Sequence, residues 1–124
     1  MKRPIPKPTD AELEILQVLW RLGPSTVRTV QEALGKDTGY TTALKFLQIM
    51  TGKGLVCRNE SQRAHVYEAT CSKDATQQQL VAGLLKRAFA GSTSQLVMQA
   101  LASKRATPLE LEEIKKLLEQ LTRG

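Results

Sequence analysis

The stretch DTGYTTALKFLQIMTGKG, Asp37 to Gly54, decides the fold. Asp37-Thr38-Gly39 is a turn, Gly54 is a natural stop, and the residues between them carry a helical period. At about 100° per residue, Ala43, Leu44, Phe46, Leu47 and Met50 fall within one arc. Thr41, Thr42, Lys45, Gln48 and Gly52 fall in the opposite arc, with Ile49 on its edge. One face is built for a core; the other is a strip of short polar side chains with a single positive charge.

Upstream, Thr9-Asp10-Ala11-Glu12 has the form of a capping box and opens a helix over residues 10–22. Leu13, Leu16 and Trp20 share one face of it, with Ile15, Leu19 and Leu22 beside them. Gly23-Pro24 ends this helix. Ser25 is expected to cap the next, whose apolar positions are Val27, Val30 and Leu34 and whose stop is Gly35. Residues 1–8 hold Pro4, Pro6 and Pro8 with three cationic side chains, which predicts an extended basic arm. Downstream, extended runs from Leu55 to Glu60 and from Ala64 to Ala69 flank Ser61-Gln62-Arg63 and predict a hairpin, with Arg58 near its base and Arg63 at its tip. Pairing about a centre near residue 62 would set Cys57 opposite residue 67 and leave Cys71 beyond the pairing, too far to bridge.

Three helices followed by a basic hairpin is a winged helix-turn-helix layout, expected over residues 9–71. Residues 72–124 are helical again. The stretch 73–89 carries Leu80, Val81, Leu84, Leu85, Ala88 and Phe89 at helical spacing, and Ser92-Thr93-Ser94-Gln95 has the form of a second capping box. Thr107-Pro108-Leu109-Glu110 forms a third, with proline where its missing N–H costs nothing. Leu111, Ile114, Leu118 and Leu121 follow in a 3-4-3 seam suited to another helix. About 50 residues in three helices make a marginal domain. Leu80, Leu84 and Ala88 form one apolar stripe and Val81, Leu85 and Phe89 another, so the expectation is that one stripe is buried against a second copy. The predicted fold class is therefore mainly α: a winged helix, then a three-helix dimerisation region.

Composition narrows the function. The chain has 124 residues and a net charge of +6, shared evenly between residues 1–72 and 73–124. A spread positive excess fits a nucleic-acid partner. No apolar run reaches the roughly 18 residues of a membrane span, and Met1-Lys2-Arg3-Pro4 is not followed by the apolar stretch of a signal peptide. A cytoplasmic protein is expected. Cys57, Cys71 and the single His65 cannot complete a four-ligand zinc site without carboxylates, so neither metal nor cofactor is expected. Catalysis is not expected either. His65 has no nucleophile beside it, no glycine-rich phosphate loop is present, and Glu110, Glu112 and Glu113 form the acidic first turn of a capped helix.

For the polar strip, periodicity leaves two readings open: a base-reading surface, or a solvated helix face. As a reader, Lys45 could donate to guanine, Gln48 could pair with adenine, and Thr41 and Thr42 could meet thymine methyls. Arg28, Arg58 and Arg63 would then hold phosphates and set register. A helical dimer whose winged helix grips a protein is the competing functional class.

From Thr9 through Leu121 the chain resembles the penicillinase-repressor family, the BlaI/MecI/CopY type. The resemblance is carried by Glu12-Leu13-Glu14-Ile15-Leu16 with Trp20, by Tyr40-Thr41-Thr42-Ala43-Leu44, and by Lys53-Gly54-Leu55-Val56. Arg63-Ala64-His65-Val66-Tyr67, Phe89-Ala90-Gly91-Ser92 and Leu96-Val97 complete it. It implies a repressor that binds a dyad operator as a homodimer, reading DNA with the helix from Thr41 to Met50. Leu80, Leu84, Leu85, Phe89, Leu111, Ile114, Leu118 and Leu121 are the expected dimerisation residues. Leu44 and Ile49 stand where some members carry arginine, so no operator sequence transfers. The copper-responsive branch uses C-terminal cysteine pairs, and this chain has no cysteine after Cys71. In the antibiotic-resistance branch a membrane sensor-protease of the BlaR/MecR type triggers cleavage at an Asn–Phe bond. The aligned pair here is Gln99-Ala100, which has neither residue.

Overall fold

A computed structural model describes residues 7–35, 37–103 and 105–124. Most of the expected basic arm, residues 1–6, lies outside them. The order of elements is α1 (Asp10–Leu22), β1 (Ser25–Thr26), α2 (Val27–Leu34), α3 (Tyr40–Lys53), β2 (Val56–Asn59), β3 (Val66–Ala69), α4 (Lys73–Phe89), α5 (Thr93–Ala102) and α6 (Pro108–Arg123). The chain divides into two compact units, one through Leu80 and one from Val81 to Gly124, with α4 contributing to both.

In the first unit, α1 starts where the Thr9 hydroxyl accepts from the Glu12 amide and the Glu12 carboxylate accepts from the Thr9 amide, a complete capping box. The buried face of α1 is Ile15, Leu16, Val18 and Leu19, while Leu13 and Trp20 are half-buried and Leu22 is exposed. The core face is thus centred on Ile15, Leu16 and Leu19 rather than on Leu13 and Trp20. Val27 and Val30 of α2, Ala43, Leu47 and Met50 of α3, then Leu55, Val56 and Tyr67 complete the core. Burying one such Leu or Met side chain contributes about 1.5–3 kcal/mol.

The cap of α2 differs from expectation by one residue. Thr26 accepts from the Thr29 amide, whereas Ser25 donates its hydroxyl to the Gly23 carbonyl and pairs into β1. The cause is a short strand that the sequence does not announce. β1 pairs antiparallel with β3, Ser25 facing Tyr67, so the sheet has three strands in the order β1-β3-β2. On the other side of β3, Cys57 faces Glu68 and Arg58 faces Tyr67, one residue from the expected register. The strands are also shorter, leaving a six-residue wing loop over residues 60–65. There the Ser61 amide donates to the Asn59 side chain, an Asx turn. Cys57 and Cys71 are both free thiols.

Two long-range contacts tie the unit together. The Lys53 ammonium, at the end of α3, donates to both Glu12 carboxylate oxygens at 3.1 and 2.9 Å. The Trp20 indole N–H donates to the Cys71 carbonyl at 2.9 Å and fixes the chain just before α4. Gly54 ends α3 at φ 84°, a left-handed conformation that glycine takes without a Cβ penalty.

In the second unit α4 ends at Ala90 (φ 48°) and Gly91 (φ 82°), where the Gly91 amide donates to the Leu85 carbonyl. Ser92 caps α5 through the Gln95 amide, without the reciprocal side-chain bond of a full box. Thr107 and Glu110 cap α6 in both directions, with Pro108 in the first turn. None of the described residues from Val81 onward is buried. Among the described residues no helix is long and apolar enough to cross a membrane.

Candidate nucleic-acid interface

The helical period that buries Ala43, Leu47 and Met50 leaves Thr41, Thr42, Lys45 and Gln48 exposed on the opposite side of α3. Leu44 and Phe46 are half-buried at the flanks, and Ile49 is 43% exposed at the edge of the strip. Gly39 caps α3 without a side-chain bond. The strip therefore stands clear on the surface of a helix whose other side is locked into the core.

Beside it runs a groove between α3, the start of α2 and the wing. Its lining includes Arg28, Tyr40, Gln48, Arg58, Arg63 and His65. The fold thus gathers Arg28 from α2, Arg58 from β2 and Arg63 from the wing loop along one side of α3, marked by Tyr40, Leu44 and Gln48. Thr41, Thr42 and Lys45 lie on the exposed face of α3 outside the groove lining. All three arginines are exposed. Arg58 is engaged within the wing: the Tyr67 phenol raises its pKa, and the paired Glu60 carboxylate adds to the effect, so its charge is firmly held. Arg28 and Arg63 form no ion pair among the described residues and present their full charge outward. Such a surface can hold an anionic backbone with arginines while a helix face is offered to base edges.

Tyr40 and His65 are groove residues that spacing does not single out. Tyr40 is the first residue of α3 and 47% exposed, and His65 lies in the loop ahead of β3 rather than on a strand. The sequence signal for both was their place in the motif runs Tyr40-Thr41-Thr42 and Arg63-Ala64-His65.

Of the eight residues expected at a dimer interface, four are exposed and four half-buried. Leu84, Leu111, Leu118 and Leu121 are 44%, 47%, 54% and 69% exposed, and Leu80, Leu85, Phe89 and Ile114 are half-buried. Gln99 and Ala100 are exposed in the second half of α5.

The family model described as penicillinase repressor matches residues 8–120. The transcriptional regulator BlaI of Mycobacterium tuberculosis, in two strains, is 40% identical over 84 residues. That match covers 65% of this chain and 58% of the regulator's own length. The penicillinase repressor of Bacillus licheniformis is 24% identical over 118 residues, covering 94% of this chain and 92% of that one. Among solved structures, one of Bordetella bronchiseptica BpsR, concerned with regulation of its DNA binding by 6-hydroxynicotinic acid, aligns over 98% of this chain and 79% of that chain, at 20% identity and a TM-score of 0.47. With a family model matched across nearly its full length, this chain belongs to the penicillinase repressor family, a family of transcriptional repressors and not of enzymes.

Proposed function

We propose that the protein is a sequence-specific DNA-binding transcriptional repressor that acts as a homodimer on a dyad operator. The observation that carries this reading is the exposed strip of α3, Thr41, Thr42, Lys45 and Gln48, set beside a groove that gathers Arg28, Arg58 and Arg63. In this reading α3 enters the major groove, Lys45 and Gln48 meet base edges, and the arginines fix register on phosphates. The exposed leucines of α4 and α6 supply the two-fold contact that a dyad operator requires. Family membership supports the repressor role, and the regulator and repressor named above supply the analogy.

Fluorescence anisotropy with the DNA upstream of the protein's own gene tests the reading. Binding is expected to exceed that to random DNA and to weaken steeply with salt, with a log–log slope of about −0.9 per neutralised phosphate. Upstream DNA bound no better than random DNA would remove sequence-specific recognition there. Salt-insensitive docking on a protein instead would favour the interaction-module reading. Release by a membrane sensor-protease would require cutting Gln99–Ala100 within α5, so that turn must open first. Mass spectrometry after incubation with an activated cognate sensor checks this step, and an intact chain excludes it.

A further inference from the structure

A second concavity lies in the first unit, on the side of α1 that the DNA reading does not use. It is an open groove of about 960 Å³ between α1, the end of α2 and the first two turns of α4, a size within the usual range of small-molecule sites. Its apolar lining includes Leu13, Trp20, Leu34 and Leu80, all half-buried, together with buried Val18 and exposed Ala33. Its charges are separated along α1. Arg21 directly follows Trp20, and Lys73 lies two residues beyond Cys71, whose carbonyl holds the Trp20 indole. Arg21 and Lys73 therefore share the Trp20 end of the groove. Glu14 lines it seven residues earlier, about 10 Å away along the helix axis. Neither Arg21 nor Lys73 is in an ion pair among the described residues.

We propose that this groove binds a small aromatic carboxylate, its ring system packed against Trp20 and the leucines and its carboxylate held between Arg21 and Lys73. An aromatic body suits the indole and leucine wall. A single anionic group suits the two unpaired cations at one end, where a guanidinium offers two parallel donors and an ammonium a compact charge. Glu14 disfavours a second anionic group at the far end. The occupant would touch α4, the helix that continues beyond this unit, as well as α1 and α2 of the winged helix. The site stands independently of the proposed DNA binding.

Trp20 is the only tryptophan of the chain, so its indole N–H gives one resonance in a nitrogen–proton correlation spectrum of the intact protein. Titration with naphthoate should move that resonance saturably. The neutral isostere naphthamide should bind about tenfold more weakly, because it lacks the charge-assisted bonds. The doubly substituted Arg21→Gln, Lys73→Gln protein should lose this preference for the acid. Both side chains are exposed, so the fold is expected to survive. Glu14→Gln should leave naphthoate binding intact or tighten it. No saturable movement up to about 10 mM, a concentration that would reveal even millimolar binding, overturns the proposal. Equal binding of acid and amide, or an acid preference that survives the double substitution, does the same. A resonance that moves on dilution of the protein alone would show that a second copy covers the groove, and would also overturn it.

Discussion

The two units solve the same problem in opposite ways. The unit through Leu80 buries twelve apolar side chains from α1, α2, α3 and the strand region into one cluster. The unit from Val81 to Gly124 buries none of its described residues, although α6 alone leaves Leu109, Leu111, Leu117, Leu118 and Leu121 from 47% to 71% exposed. The difference teaches where specification comes from. The winged helix is fixed by its own core, and its exposed surfaces are free to be polar or cationic. The C-terminal helices are fixed locally by caps and by helical propensity, and their apolar faces stay open. Lone leucines on a surface are ordinary, but a repeated stripe of them is an interface signature.

The largest expected effect deepens this contrast. Leu47→Ala, at a fully buried position of α3, should cost about 2–5 kcal/mol in denaturant unfolding, at any protein concentration. A cost below about 0.5 kcal/mol, the range of surface substitutions, would show that the first core is not close-packed. Next is the ion pair of buried Glu12 with half-buried Lys53, which joins α1 to α3. Burial alone would raise the Glu12 pKa, but the Thr9 amide and the Lys53 ammonium outweigh it and hold the carboxyl below its usual range. The stability so contributed is present above the ordinary carboxylate pKa of 4.5 and is lost as pH falls through that value and below. Glu12→Gln should cost about 1–3 kcal/mol at neutral pH, tempered because Lys53 is one-third exposed. Its unfolding free energy should also respond less to acid than that of the unsubstituted protein. An identical acid profile for the two proteins would contradict the assignment.

On the DNA side the comparison falls within the first unit, between its helix strip and its wing. Lys45→Ala should cost about 1–3 kcal/mol on the cognate operator and relax base preference, as for a lost base contact. Arg63→Ala should weaken cognate and random DNA alike. Equal, sequence-independent losses in both variants would make Lys45 a phosphate contact as well. The smallest effect belongs to the second unit. Ala90 holds φ 48°, a conformation that glycine adopts without a Cβ penalty. Ala90→Gly should leave stability unchanged or raise it by up to about 1 kcal/mol in thermal unfolding. A clear loss would mean that the bend after α4 is not strained.

Much of this architecture was legible in the sequence, for identifiable reasons. Thr9 with Glu12, Gly54, and Thr107 with Glu110 are local devices, so the starts of α1 and α6 and the end of α3 stand where the residues put them. The period of α3 separates Ala43, Leu47 and Met50 from Thr41, Thr42, Lys45 and Gln48 without tertiary information. What escaped is non-local or too short to have a period. β1 is two residues long and exists only because β3 offers it an edge, which moves the α2 cap from Ser25 to Thr26. The wing loop holds no glycine to fix a tight turn, and the register differs by one residue. Glu12 is recognisable as a capping residue, but its bond to Lys53 spans 41 positions and appears only when α1 and α3 pack. Tyr40 and His65 join the arginine groove for the same reason.

The measurement that tests the two-unit account most directly is amide hydrogen exchange on the intact chain across a dilution series, with Leu118→Asp alongside. Protection in α1 and α3 should be independent of concentration and unchanged by the substitution. Protection in α6 should rise with concentration and be lost in Leu118→Asp, as light scattering shows the mass fall from dimer to monomer. Protection in α6 that persists at the lowest concentration and in Leu118→Asp would show that the C-terminal helices hold without a second copy, and would contradict the account.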